Sequence, residues 1–174
     1  VVMERFDDFW GEAPAIERLI WRWSPEESVL VMALQAGEVD VVVPLPASHV
    51  SVLEMSPGVN VVEKPSSADF WLALNTTAEP LNDVRVRQAL NYATDRQGLI
   101  DAILWGRATV AHSPLAPQYF GYDPTVPGYT YDLGKAKELL AEAGYPDGFT
   151  MSITVQESEA KYAEVLQGMW REAG

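Results

Sequence analysis

Aspartate stands directly ahead of three runs in which apolar residues recur three and four positions apart, and this coupling of a start signal to a period constrains the fold more than anything else in the 174 residues. Asp83 precedes Val86, Ala89, Leu90 and Ala93. Asp95, with Thr94 as the alternative cap, precedes Leu99, Ile100, Ile103 and Leu104. Asp132 precedes Ala136, Leu139, Leu140 and Ala143. A short oxygen-bearing side chain at such a place accepts hydrogen bonds from the unpaired N–H groups of a first helical turn, and the spacing lines up one apolar face. Gly106 and Gly144 follow two of these runs, where a residue free to turn left-handed ends a helix. The sequence therefore predicts helices near 83–93, 95–105 and 132–143.

The other elements are read by the same rules. Residues 15–23 are rich in Ile, Leu and Trp and partly alternate, which predicts a strand. Ser24-Pro25-Glu26-Glu27 has the form of a capping box, opening a helix with Leu30, Ala33 and Leu34 on one face and Gly37 at its end. Val39 to Val43 predicts a short strand stopped by Pro44 and Pro46, so that 15–43 reads as a strand–helix–strand unit. A short helix at 48–55 and strands at Val59 to Glu63, Phe70 to Leu74 and Thr150 to Val155 follow. A last helix over 159–173 turns Tyr162, Val165, Leu166 and Met169 inward. Prolines at 114, 117, 124 and 127 with glycines at 121 and 128 make 107–131 a long irregular loop, the kind of segment that often carries function. The expected class is α/β with mixed sheets. Along 70–75 a period of two sets Phe70, Leu72 and Leu74 towards a core and Trp71, Ala73 and Asn75 to the opposite side.

Composition narrows the function. Hydrophobic residues make up 48% of the chain, enough for a buried core. A net charge of −13, from 12 basic and 25 acidic residues, disfavours nucleic acid and anionic lipid as partners. There is no apolar run of the roughly 18 residues a membrane-spanning helix needs. Without cysteine, and with only His49 and His112, thiolate zinc sites, Cys nucleophiles and His-based metal sites have little to work with, and no metal or cofactor is expected. No Gly-x-Ser-x-Gly elbow occurs, and Gly134-Lys135 lacks the rest of a phosphate loop. The carboxylates fall mostly at helix starts (Glu26, Glu27, Asp83, Asp132) or on polar helix faces (Glu138, Glu142), so no catalytic residue is assigned. Six Trp and seven Tyr offer amphipathic surface suited to small ligands.

One string is specific: Leu74-Asn75-Thr76-Thr77 followed by Pro80-Leu81-Asn82-Asp83-Val84-Arg85-Val86-Arg87-Gln88-Ala89-Leu90-Asn91-Tyr92-Ala93-Thr94-Asp95-Arg96. Together with Ala33-Leu34-Gln35-Ala36-Gly37-Glu38-Val39-Asp40 upstream, Tyr131-Asp132-Leu133-Gly134-Lys135-Ala136-Lys137-Glu138-Leu139-Leu140-Ala141-Glu142-Ala143-Gly144-Tyr145 downstream, and Asp147-Gly148-Phe149, it resembles the family 5 extracellular solute-binding proteins of ABC importers, which include dipeptide-, oligopeptide- and nickel-binding proteins.

The resemblance implies a two-lobed, periplasmic-binding-protein-like fold of type II, present here as a partial fragment, with residues 1–68 in the first lobe and 69–174 opening the second. It implies a periplasmic or lipid-anchored protein, a monomer when full length, that captures short peptides for a membrane permease and performs no chemistry on them. By position it points to Trp71, Ala73 and Asn75, the same face that alternation selects, and to the 150–155 strand end with Gln156 and the proline-rich loop near His112. The aspartate that grips a peptide's amino terminus in relatives lies in a segment beyond the last helix. Arg85 and Arg87, in the first turns of a helix, are expected to serve ion pairing rather than ligand recognition. Two other classes stay open: a hydrolase of peptides or glycans built on a carboxylate pair, and a sensory domain reusing the binding fold.

Overall fold

The structure is a computed structural model that describes residues 1–66 and 68–174. The chain folds as two compact units, Val1–Val61 and Val62–Gly174.

In the first unit, β1 (Val2–Glu4) and β2 (Arg18–Ile20) pair antiparallel with Val2 opposite Ile20, Met3 opposite Leu19 and Glu4 opposite Arg18. The expected strand at 15–23 is thus real but shortened, and it pairs with a segment that carries no strand signal of its own. All six strand residues are exposed. α1 (Glu27–Gln35) buries Val31 and half-buries Leu30, Ala33 and Leu34, and Gly37 at φ 72° lets the chain leave it. The capping box does not form as expected. The Ser24 hydroxyl accepts from the Glu26 N–H at 3.1 Å, and Glu26, one residue before α1, caps the helix with no side-chain bond. Ser24 stands two residues before the N-cap, and a tight local turn satisfies its hydroxyl instead. A 3₁₀ turn at Ala47–His49 runs into α2 (Val50–Glu54), whose Val50 and Leu53 are buried.

The second unit is a helical frame. α3 (Val84–Tyr92), α4 (Arg96–Leu104) and α5 (Leu133–Glu142) lie where the aspartates and periods put them. Each aspartate makes the expected bond: Asp83 accepts from Arg85 N at 2.8 Å, Asp95 from Gly98 N at 2.9 Å and Asp132 from Lys135 N at 2.8 Å. α5 leaves through Gly144 at φ 94°. At the end of α4 Gly106 is left-handed as expected, φ 75°, and Trp105 before it is left-handed too, φ 55°.

α3 packs along α5 through Val86, Ala89 and Ala93 on one side and Ala136, Leu139 and Leu140 on the other. Val86 and Ala136 are completely buried. Three alanines in a six-residue core let the two backbones approach closely, and the larger Val and Leu side chains fill the seam between them. α6 (Ala160–Ala173) closes the frame against α4 and α5 without a fully buried residue of its own, its inner face half-buried at Tyr162, Val165, Leu166 and Met169.

The remaining strands are corrected by the structure. Val39–Val43, Val59–Glu63, Phe70–Leu74 and Thr150–Val155 are not paired into a sheet; β1–β2 is the one sheet among the described residues. Alternation and β-branching set a local preference, but a strand exists only when a second segment supplies partners for its N–H and C=O groups. None of the described segments does so here. No helix among the described residues is long and apolar enough to cross a membrane.

The α3–α5 seam yields a direct test. Ala136→Leu introduces a branched side chain into a fully closed position and is expected to lower unfolding free energy by about 1–3 kcal/mol, as overpacking does. Urea denaturation should show this as a lower midpoint at unchanged slope, whereas the same change at exposed Ala141 should leave the midpoint in place.

Candidate functional site

Four of the five residues selected from sequence lie on two segments that meet at one aromatic contact. Phe70 stacks on Tyr162 of α6 with ring centroids 4.7 Å apart and planes at 26°. This ties the segment carrying Trp71, Ala73 and Asn75 to the first turn of α6, and Gln156 stands immediately before the 3₁₀ turn Glu157–Glu159 that leads into that helix. Trp71 is 77% exposed, and Ala73 and Asn75 are exposed as well, while Leu74 is half-buried. Phe70 keeps 64% of its surface and Leu72 38%, so of the intended core face only Leu74 is substantially covered, and Phe70 meets α6 through its ring stack.

The Asn75 amide is already oriented. Its Oδ1 accepts from Thr77 N at 3.1 Å and from Thr77 Oγ1 at 2.7 Å, a local turn that leaves the NH2 group as the end presented outward. The Gln156 side chain is exposed, and its backbone carbonyl accepts from Glu159 N at 2.9 Å. The group thus offers a large aromatic face and amide groups on exposed backbone, suited to packing against and hydrogen-bonding an uncharged polar ligand.

His112 lies apart, in an open hollow of about 300 Å³ between the start of α4 and the 129–131 segment. Sequence reasoning singles out His112 but not this hollow, because its walls come together only through tertiary contacts.

The tempting cations are engaged in the frame. Arg85 reaches both oxygens of Asp83 and donates from Nη1 to the Glu142 carbonyl, closing the last turn of α5. Arg87 donates to the carbonyls of Leu81 and Asn82. Arg96, half-buried, donates to Asn91 O, Asn91 Oδ1 and Tyr129 O. Burial lowers the Arg96 pKa from its ordinary value. The bidentate Arg85 bond holds the Asp83 carboxyl below the usual aspartate range and raises the pKa of Arg85 in turn.

In the first unit, carboxylates of Glu4, Asp7 and Glu17 share an open hollow of about 390 Å³, with Arg5 bonded to Asp7 at 3.0 Å and facing Glu17 at 3.8 Å. Such exposed carboxylates, two of them paired with Arg5, have the ordinary chemistry of a solvated surface. Among the described residues no group of three His, Cys, Asp or Glu is placed to hold a metal ion.

A frame of capped helices beside an exposed aromatic-and-amide face has the character of a binding module. The whole chain, residues 1–174, matches the bacterial extracellular solute-binding proteins, family 5 middle region. It is 34% identical to the dipeptide-binding protein of Escherichia coli K12 over 97% of this chain and 33% of that one. It is 32% identical to heme-binding protein A of Haemophilus influenzae over 97% of this chain and 32% of that one. Among solved structures it superposes on the ABC transporter-associated periplasmic binding protein DppA of Helicobacter pylori in complex with the peptide STSA, with a TM-score of 0.89 at 34% identity, covering 99% of this chain and 34% of that one. The chain belongs to the family 5 extracellular solute-binding proteins and has their mixed α/β fold, spanning about one third of the length of the curated relatives it matches.

The Asp83–Arg85 pair gives a pH-dependent outcome. Asp83 titrates lower folded than unfolded, so its contribution to stability is present above the ordinary aspartate range and is lost as pH falls through the lowered value. Asp83→Asn is expected to lower the thermal midpoint at neutral pH, and the gap between variant and parent should narrow as the buffer is taken down through that range. A gap independent of pH would show that the carboxylate charge contributes nothing.

Proposed function

We propose that this chain is part of a two-lobed solute-binding subunit that captures short peptides outside the cytoplasm and presents them to the permease of an ABC importer, leaving the ligand chemically unchanged. Residues 1–68 belong to the first lobe and 69–174 to the second. Trp71, Ala73 and Asn75, with Gln156 beside them, form this chain's share of the binding face, and the full-length protein works as a periplasmic or lipid-anchored monomer.

The observation that carries the reading is the exposed 71–75 face. A 77% exposed indole on the same stretch as a pre-oriented amide, tied down by the Phe70–Tyr162 stack, is surface arranged for a ligand rather than for the chain's own core. The relatives support the same direction, since the similar proteins carry the names of binding proteins and the Helicobacter pylori one was solved in complex with a peptide. A ligand held between two lobes gains affinity through enclosure, which one face alone supplies only in part.

Isothermal titration with a mixed set of di- to pentapeptides tests this. The full-length protein should bind with saturable heat, this chain alone much more weakly, and Trp71→Ala should weaken full-length binding by about tenfold or more, the loss expected when a large aromatic contact is removed. Unchanged affinity in Trp71→Ala would take this face out of the site, and absence of heat with every peptide would remove peptides as the ligand class.

A further inference from the structure

The hollow beside His112 is built from groups that serve the frame. One wall is the first turn of α4. There the Thr94 hydroxyl donates to Leu90 O at 2.7 Å and accepts from Trp170 Nε1 at 2.9 Å. The opposite wall is the 129–131 segment. It is held by Asp132 N donating to Tyr92 O at 2.9 Å, by an edge-on contact of the Tyr129 and Tyr92 rings at 5.1 Å, and by Arg96 donating to Tyr129 O. Both walls are therefore fixed to the α3–α4 frame, so the space between them does not depend on a loose loop for its shape.

Its chemistry is selective. Val110, Tyr129 and Tyr131 give it a largely apolar lining, with His112 on the same hollow. The charged residues that line it are committed elsewhere, Asp95 to Gly98 N and Arg96 to backbone carbonyls and Asn91. A charged group of either sign would lose water and stand beside a like charge in the lining, the Asp95 carboxylate or the Arg96 guanidinium, which is costly. A volume of about 300 Å³ stands at the small end of the roughly 300–1,000 Å³ typical of ligand pockets, room for one side chain and not for a whole peptide. The His112 ring has its place only because residue 128 is glycine: a Cβ there would overlap His112 Nδ1.

We propose that this hollow is a side-chain subsite that takes one uncharged aromatic or branched aliphatic residue of a bound peptide, with His112 and Gly128 setting its shape. The proposal rests on the peptide reading above and adds to it a preference in the ligand's side chains. Gly128→Ala drives the imidazole out of its seat, and His112→Ala removes it while leaving the braced walls intact.

The test uses proton NMR of the His112 and His49 rings, in the full-length protein or in this chain, where His49 lies in the other compact unit and serves as an internal reference. N-acetyl-leucinamide and N-acetyl-tyrosinamide at millimolar concentration should shift the His112 signals saturably and leave those of His49 in place, while N-acetyl-aspartamide shifts neither. Gly128→Ala should weaken the apparent affinity by about tenfold. His112→Ala, followed by fluorine NMR of fluorotyrosine amide, should weaken it likewise and covers the case in which Gly128→Ala fails to fold. Absence of saturable shifts, equal shifts at both histidines, equal response to the aspartate probe, or unchanged affinity in both variants would each overturn the subsite. If peptides still bind by titration while the His112 signals stay fixed, the subsite falls and the peptide function stands. If no peptide binds at all, both fall.

Discussion

The helical frame depends on how its helix ends are satisfied. Arg85, the second residue of α3, joins the carboxylate that caps its own helix to the last-turn carbonyl of α5. Arg96 repeats the arrangement at the other end, with its guanidinium on the Asn91 carbonyl in the last turn of α3. Cationic donors at the carbonyl ends of helices meet both the unpaired acceptors and the negative end of the helix dipole. A lysine would bring the charge but not the planar fork that reaches two acceptors at once. With the ends closed, the alanine-rich seam between α3 and α5 can pack with little side-chain bulk, and everything assigned to binding hangs from that seam.

This arrangement explains why arginines are poor guides to the ligand in this chain. Two arginines as close as Arg85 and Arg87 tempt a reading as carboxylate recognition, against which their place in the first turns of a helix already speaks. In the fold, their donors, and those of Arg96, end on carbonyls or on Asp83. The residues assigned to recognition on the second unit, Trp71, Ala73, Asn75, Gln156 and His112, carry no formal charge, which suits ligands whose ends are gripped by other parts of a longer protein.

Legibility follows the range of the forces involved. Helices are readable because caps and apolar periods act within a few residues; Asp83, Asp95 and Asp132 each bond to the N–H groups their positions imply. The Ser24 box misleads because its hydroxyl finds a nearer donor. Strands at 39–43, 59–63, 70–74 and 150–155 are not readable as paired elements, since pairing is a property of two segments and the sequence of one gives only half of it. The same holds for the site. Trp71 and Asn75 follow from alternation and resemblance, but the stack of Phe70 on Tyr162 joins residues 92 positions apart, and the hollow at His112 needs α4, Gly128 and the 129–131 segment together.

The distribution of the indole rings has an optical consequence. Trp10, Trp21, Trp23, Trp71 and Trp105 are each more than half exposed, while Trp170 is half-buried with its N–H bonded to the Thr94 hydroxyl. Emission from the folded chain is therefore dominated by water-relaxed indoles and carries little spectral mark of folding. Anything that covers these rings, such as a ligand over Trp71 or further polypeptide over the first unit, should move the emission to shorter wavelength, which makes the native tryptophans a label-free gauge of how much of this surface is occupied.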